Sequence, residues 1–316
     1  MTLTALLLSV LVGDAFAADK TLCVYDPSGA SGDAFQNAKE YQTAALGWGV
    51  TFSPKPYTSE SVAAADFRNG QCDAVILTGV RAQQFNRKSY SVEAIGLLPD
   101  YDVTATALQI LAKPKASSLM TSGDYETAGI FPAGAVYLYL RDKAMSDVAA
   151  LAGKKICTLD FDESAKYMVQ HIGAQLEPAD VGTFASKFNN GSCDVAYAPA
   201  AAYTPLELYK GLGSTGGIVN LPLAQFTLQI LLRTDEFPEG FGQSSRDWSA
   251  TRFQTSLDVA RRAEAEVTGS YWIEIDDDKR QKYTDMLAGV RQSLVSSGSY
   301  DPTIVKLLEQ VVATSN

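Results

Sequence analysis

The sequence predicts an α/β protein of two lobes, each built on a mainly parallel sheet flanked by helices, with a helical C-terminal segment. Three observations predict it. A motif is written twice around a pair of cysteines, apolar strands alternate with helical stretches in each copy, and the texture turns to amphipathic helix after Arg233. Strands alternating with helices call for right-handed β-α-β units and hence a parallel sheet.

The chain opens with an apolar run from Leu3 to Val12, followed by Ala15-Phe16-Ala17, which places small residues where a signal peptidase reads. The run is shorter than the ~20 apolar residues a spanning helix needs. Residues 1–17 therefore read as a cleaved signal peptide, with Ala18 starting a mature chain expected in the periplasm. The alternative is a buried N-terminal strand or helix. No later apolar run is long enough to cross a membrane, and no cysteine at the cleavage site could carry a lipid. The 316 residues are 46% hydrophobic and 20% charged, an ordinary globular balance. Lys and Arg total 26 against 36 Asp and Glu, and no basic stripe is visible, which argues against nucleic acid as a partner.

Phe67-Arg68-Asn69-Gly70-Gln71-Cys72-Asp73 is echoed by Phe188-Asn189-Asn190-Gly191-Ser192-Cys193-Asp194. Each copy runs from a helix end through an Asn-Gly turn into an apolar strand, Ala74–Leu77 or Val195–Ala198. Upstream of each lies another cysteine-bearing strand, Thr21–Tyr25 or Lys155–Leu159, which ends at an Asp and leads into a helix. Four cysteines allow three pairings. In a parallel sheet written this way the first and third strands lie side by side, which predicts Cys23–Cys72 and Cys157–Cys193, one bridge per lobe. Buried free thiols are the alternative. A metal site is disfavoured by the wide cysteine spacing, the absence of C-x-x-C and the single histidine, His171, read as mid-helix. No cofactor is expected.

The first lobe is expected over residues 18–112 together with 234–316, and the second over 113–233. Lys113–Ser118 has linker character. Thr106–Leu111 before it reads as a crossing strand, and Phe226–Leu232 as its counterpart. The tetrapeptide Leu-Gln-Ile-Leu recurs in both, at 108–111 and 228–231. Gly134–Arg141 reads as the strand that opens the second lobe. Beyond Arg233, Ser244–Val267, Asp276–Ser296 and Asp301–Val312 are amphipathic and are expected to pack on the first lobe and across the hinge. The acidic run Asp276–Asp278 reads as a helix start, where the macrodipole favours negative charge.

Ligands of open parallel sheets bind beyond the carboxyl ends of the strands, and two lobes turn both rows of ends toward one cleft. In the first lobe that rule selects Tyr25, Asp26, Ser28 and Ser31 in the loop Asp26–Asp33, and Thr78 and Arg81 after the cysteine turn. In the second it selects Asp160 and Tyr203, with Tyr137, Tyr139 and Gln225 completing a lining of aromatic and polar groups. Helix capping and core packing are the plain alternatives for these residues.

The long motifs Cys23–Asp33, Gly70–Gly79, Phe188–Asp194 and Ala202–Gly213 resemble a family of bacterial solute-binding proteins related to the extracytoplasmic receptors of TRAP-type transporters. Its members are often labelled as associated with RND-type efflux and aminoglycoside resistance. The resemblance spans nearly the whole mature chain. It implies the type II periplasmic-binding clamshell, a small-molecule ligand, and integral-membrane transporter subunits (TRAP-type or RND-type) as partners. One departure matters. TRAP receptors for dicarboxylates carry an Arg that pairs with the ligand's carboxylate, whereas Gly153-Lys154-Lys155-Ile156-Cys157 has a cysteine there. A neutral, polyhydroxyl, cationic or bulky apolar ligand is then expected in place of a simple dicarboxylate. The expected function is a non-catalytic receptor, since the sequence has no G-x-S-x-G elbow, P-loop, His cluster or Cys-His pair. The alternative is an accessory adaptor of an RND-type efflux system.

Overall fold

The computed structural model describes residues 18–315, so the signal-peptide reading of residues 1–17 lies outside the described residues. In the first half, β1 (Ala18–Tyr25), β2 (Val50–Tyr57) and β3 (Ala74–Thr78) form a parallel set in the order β2-β1-β3. In the second, β6 (Lys155–Leu159), β7 (Gln175–Ala179) and β8 (Val195–Pro199) repeat it as β8-β6-β7. The strands joining the two sets are β5 (Tyr125–Leu140) and β10 (Ala224–Arg233), which pair antiparallel along their length. The continuous path is β2-β1-β3-β10-β5-β8-β6-β7. The short strands β4 (Thr121–Ser122), β9 (Gly217–Val219) and β11 (Trp272–Ile273) attach beside it.

The duplicated motif folds as written. Helices Glu60–Arg68 and Val181–Asn189 end in the two Asn-Gly turns, where Gly70 and Gly191 take φ of +77° and +83°. That left-handed backbone favours glycine. Side-by-side strands bring Cys23 to Cys72 and Cys157 to Cys193, with Cα–Cα separations of 5.9 and 5.5 Å, and both pairs are bonded. Each bridge sits in its own aromatic core, beside Phe67 and Phe85 in one half and Phe184 and Phe188 in the other.

Three expectations need correcting. Thr106–Leu111 is no strand; it lies in the helix Tyr101–Leu111, capped by Asp100, whose carboxylate accepts from the N–H groups of Asp102 and Val103. Val103, Ala107, Leu108 and Leu111 make its buried stripe, a spacing of three and four that a helix aligns on one face. The crossing partner of Phe226–Leu232 is instead β5, which begins nine residues before the expected Gly134. His171 is also not mid-helix: it closes the helix Glu163–His171, exposed and stacked on Tyr167.

The C-terminal helices spread over both halves. Phe241–Ala250 packs on the first, through Phe241 on Trp48 and Ser245 on the Tyr41 hydroxyl at 2.8 Å. Phe253–Glu266 lies on β5, Asp277–Ser296 against Glu163–His171, and Pro302–Ser315 along Tyr101–Leu111. Asp276 caps Asp277–Ser296 through the Lys279 N–H, as the acidic run predicts.

Candidate functional site

Strand register locates the cleft. Thr78, the last residue of β3, pairs with Leu228 of β10. Pro199, the last residue of β8, lies opposite Val136 of β5, which in turn pairs with Ala224. The stretch between, Ala224–Leu228 with Phe131–Val136, forms a floor with one row of strand carboxyl ends on either side. A bulge falls there: Phe226 faces Gly134 and Thr227 faces Pro132, leaving Ala133 unopposed, and Gly134 takes φ +112°. Bulges bend a strand locally, which suits a joint between two lobes.

The two rows touch. The Arg81 guanidinium lies 3.4 Å from the centroid of the Phe161 ring, and Gln83 donates to the Phe161 carbonyl at 3.3 Å. The Tyr90 and Ser164 hydroxyls share a bond at 2.8 Å. Val181, just after β7, packs against the first-half cluster of Tyr25, Tyr57 and the Cys23–Cys72 bridge. A cation over an aromatic face is worth roughly 1–2 kcal/mol when desolvated. Phe161→Ala is therefore expected to loosen the closed form, read as a larger radius of gyration in solution scattering; unchanged scattering would assign closure to the other contacts.

Of the first-half candidates, Tyr25, Asp26, Thr78 and Arg81 gather at this row. Asp26 is buried and its carboxylate accepts from the Ser28 and Phe35 N–H groups at 2.9 and 3.2 Å. It thereby organises its own loop and the start of the helix Asp33–Leu46, against a Gly32 that has no room for a side chain. Ser28 and Ser31 stand exposed, the Ser31 hydroxyl donating to the Ser28 carbonyl. Thr78 caps Arg81 through its hydroxyl. The Thr78 N–H and the Arg81 side chain both converge on Glu60, at 2.8 and 3.5 Å. Burial raises the Tyr25 hydroxyl well above its ordinary pKa, helped by the charges of Glu60 and Asp26.

In the second half the picks separate. Asp160 is exposed, and the buried acid of that loop is Asp162. Asp162 accepts from the Ala165 N–H at 2.9 Å and the Tyr197 hydroxyl at 3.0 Å. Tyr137 and Tyr139 pair with Ala198 and Ala196, just beyond the floor's edge at Val136, and Tyr137 is tied to the floor through Glu264, Tyr101 and the Ala135 N–H. Tyr137 donates to Glu264 at 2.7 Å and edges onto Trp272; together they wall an open hollow of about 450 Å³ with Asn220 and Glu274. Tyr139 is fully buried. Tyr203 is buried beside Tyr209 and Tyr271. Gln225 does lie on the floor, its amide donating to the Leu98 carbonyl at 3.2 Å.

The sequence reading missed the carboxyls that dominate the cleft. Glu60 is buried and its pKa is raised by burial, partly offset by its bonds to Thr78 and Arg81. Glu93 accepts from the Thr227 N–H and hydroxyl at 2.7 and 2.6 Å. Burial pushes it up to about 8, against the lowering by Thr227 and with help from the negative charges of Asp162 and Glu60. Asp162 is raised too, again by burial first. Glu60 and Asp162 sit at helix starts, where acids are ordinary. Glu93 carried a legible signal: it is a lone acid within Val92–Leu98, where carboxylates are seldom buried without a purpose. Among the described residues no group of three or more His, Cys, Asp or Glu is placed to hold a metal ion.

Residues 49–316 match the family described as solute-binding protein AdeT 1/2. The chain belongs to that family. This AdeT-family solute-binding protein is 39% identical over 293 residues to the probable solute-binding protein AdeT1 of Acinetobacter baumannii, covering 93% of this chain and 96% of that one. It is 29% identical over 221 residues to AdeT2 of the same organism, covering 70% and 93%. Among solved structures it is similar to a TRAP periplasmic solute-binding protein from Ralstonia eutropha H16 with bound (S)-2-acetolactate, at a TM-score of 0.75 and 10% identity, covering 94% and 99% of the two chains. A second, from Desulfovibrio salexigens with bound orotic acid, aligns at 0.71 and 14% over 94% and 99%. At such identities the likeness establishes the fold, a TRAP-receptor clamshell. The AdeT-family chain is thus a solute-binding protein, and its described residues contain no helix long and apolar enough to cross a membrane.

Proposed function

We propose that this protein is a periplasmic receptor that closes around a small molecule on the floor between the ends of β3 and β8. It hands that molecule unchanged to the integral-membrane subunits of a TRAP-type transporter. The observation that carries the reading is the meeting of two rows of strand ends across a bulged two-strand floor, latched by Arg81 on Phe161. Domain closure of this kind buries a ligand and builds the surface a transporter recognises. The residues proposed to meet ligand are Tyr25, Thr78, Arg81 and Gln225, joined by Glu60, Glu93, Phe161 and Asp162. The solved relatives named above hold carboxylic acids. Here Cys157 is tied to Cys193, so it cannot act as an acid clamp, and Arg81 is engaged by Glu60. These features support a ligand other than a simple dicarboxylate. Family and fold both favour the receptor over the efflux adaptor.

A thermal-shift screen of the mature protein against dicarboxylates, polyols, polyamines, aminoglycosides and sterol-like lipids tests this. One class is expected to raise the melting temperature by several degrees, since a ligand at ~100 times its Kd adds about 3 kcal/mol. Gln225→Leu should remove the response. Silence from every class, together with stable association with an efflux-pump subunit, would replace the receptor with the adaptor.

A further inference from the structure

We propose that the floor of the cleft is a subsite for a ligand's ammonium group, seated between the Glu93 carboxyl and the side-chain oxygen of Gln225. The inference rests on the receptor reading and names the ligand class that reading leaves open. Gln225 is 2% exposed, and its Oε1 accepts no hydrogen bond from the described residues. A buried acceptor left so costs about 1–3 kcal/mol. On the same strand, Thr227 delivers both its bonds to Oε1 of Glu93, and no described residue donates to the other carboxyl oxygen. The segment 93–98 runs along β10 and ties the two together. Glu93 meets Thr227, the Gly96 N–H donates to the Leu223 carbonyl at 2.7 Å, and Leu98 accepts from Gln225. One unpartnered buried acceptor and one carboxyl oxygen without a described donor thus lie along the same stretch of β10 at the joint between the lobes.

The charged surroundings point the same way. Glu60 and Asp162 act electrostatically on Glu93, and Asp26 lies at the same row of strand ends. The hydroxyls of Tyr25, Tyr90, Tyr197 and Tyr300 are neutral. Three cations lie nearby: Arg81 pairs with Glu60 and stacks on Phe161, Lys166 pairs with Glu163, and Arg291 is held on the Ile95 carbonyl at 2.8 Å. Among the described residues none of these three donates to Gln225 or Glu93, whose oxygens on this floor are acceptors. An ammonium, with three donors and no acceptor, satisfies both open oxygens.

At neutral pH the raised Glu93 holds a proton. An ammonium beside it favours the ionised form, so the proton leaves to solvent as the ammonium seats: one neutral carboxyl and one cation become an ion pair and a released proton. Binding therefore tightens as pH rises toward 8 and levels off above it, until the amine itself loses its proton near ~10.

The experiment is calorimetric titration of the mature protein with 1,4-diaminobutane, in buffers of differing ionisation enthalpy, with succinate and 1,4-butanediol as comparators. The diamine is expected to bind with about one proton released, and its Kd to fall about tenfold per pH unit between roughly pH 6 and 7.5. Glu93→Gln, which keeps an oxygen for Thr227, should weaken binding at least about tenfold and erase the proton release. Gln225→Met should weaken binding while leaving proton release intact. Diamine binding without proton release, unchanged by Glu93→Gln, overturns the inference. So does tighter binding of succinate or the diol, which would leave the receptor standing with a different ligand class. No binding by any solute of the wider thermal screen would bring down receptor and subsite together.

Discussion

Raising the pH from about 4.5 to about 8 is expected to cost this protein roughly 3–5 kcal/mol of stability, and Glu93→Gln should abolish most of that loss. Glu93 titrates near 4.5 in the unfolded chain and near 8 when folded. Over that window the folded state holds a proton that the unfolded state has given up. Unfolding therefore becomes more favourable as pH rises, and the trend ends above the folded pKa, where both states are ionised. Glu60 and Asp162 are raised as well and add to the slope in the same direction. Urea unfolding across that range, with the wild type beside Glu93→Gln, gives the answer directly. A flat profile for the wild type, or equal slopes for the two proteins, would mean that Glu93 is hydrated and ionised in the folded state. The effect links stability to function, because the group that loses stability with rising pH is the one proposed to receive the ligand.

Removing either disulfide is the second large effect. The bridges close loops of 49 and 36 residues, and chain entropy assigns about 4 kcal/mol to each. The double replacements Cys23→Ala with Cys72→Ala, or Cys157→Ala with Cys193→Ala, should each lower the melting temperature by roughly 5–8 °C. Reduction of the wild type should approach the sum of the two. A drop of only a degree or two for either pair would show that its half is held by the aromatic core alone. The first pair acts on the carboxyl of the floor, the second on the opposite row through β6 and β8. Cys72 leads directly into β3, whose end presents Thr78, Gly79 and Arg81 to the cleft. Gly79 has no space for a side chain beside Glu93 and Thr227, so a loosened β3 disturbs the carboxyl on the floor. Ligand affinity should fall further in the Cys23/Cys72 variant than in the Cys157/Cys193 variant.

Much of the architecture was legible because it depends on local rules that the chain states twice. The Asn-Gly turns, the strand after each, and the cysteine that marks neighbouring strands follow from turn chemistry and from the adjacency of first and third strands in β-α-β units. The candidate site was legible only as a place. The rule that ligands meet strand ends led to Tyr25, Asp26, Thr78 and Arg81, and the crossing strand to Gln225, as candidates. It could not show that the Asp26 carboxylate is used up on the Ser28 and Phe35 amides. Nor could it show that Tyr139 points into the body of its lobe, because an aromatic in a strand reads alike in a core and in a cleft wall. Glu60, Glu93 and Asp162 escaped for the opposite reason. Acids near helix starts look solvated, and only packing reveals that they are buried together.

The tetrapeptide Leu-Gln-Ile-Leu marks the boundary between what sequence and structure decide. At 228–231 it is a strand, with Gln229 buried on Ser89 and Thr227. At 108–111 it is a helix, with Gln109 and Ile110 turned outward. The same four side chains accept either state, so their neighbours decide. Asp100 nucleates the first copy as a helix, while β3 and β5 claim the second as the strand between them. By itself the sequence determined the two cysteine-marked sheets, their bridges and the helical tail, since periodicity and turn residues act within a few positions. Only the tertiary structure decided which strands join the lobes and which carboxyls face each other across the cleft, because long-range pairing and burial set both.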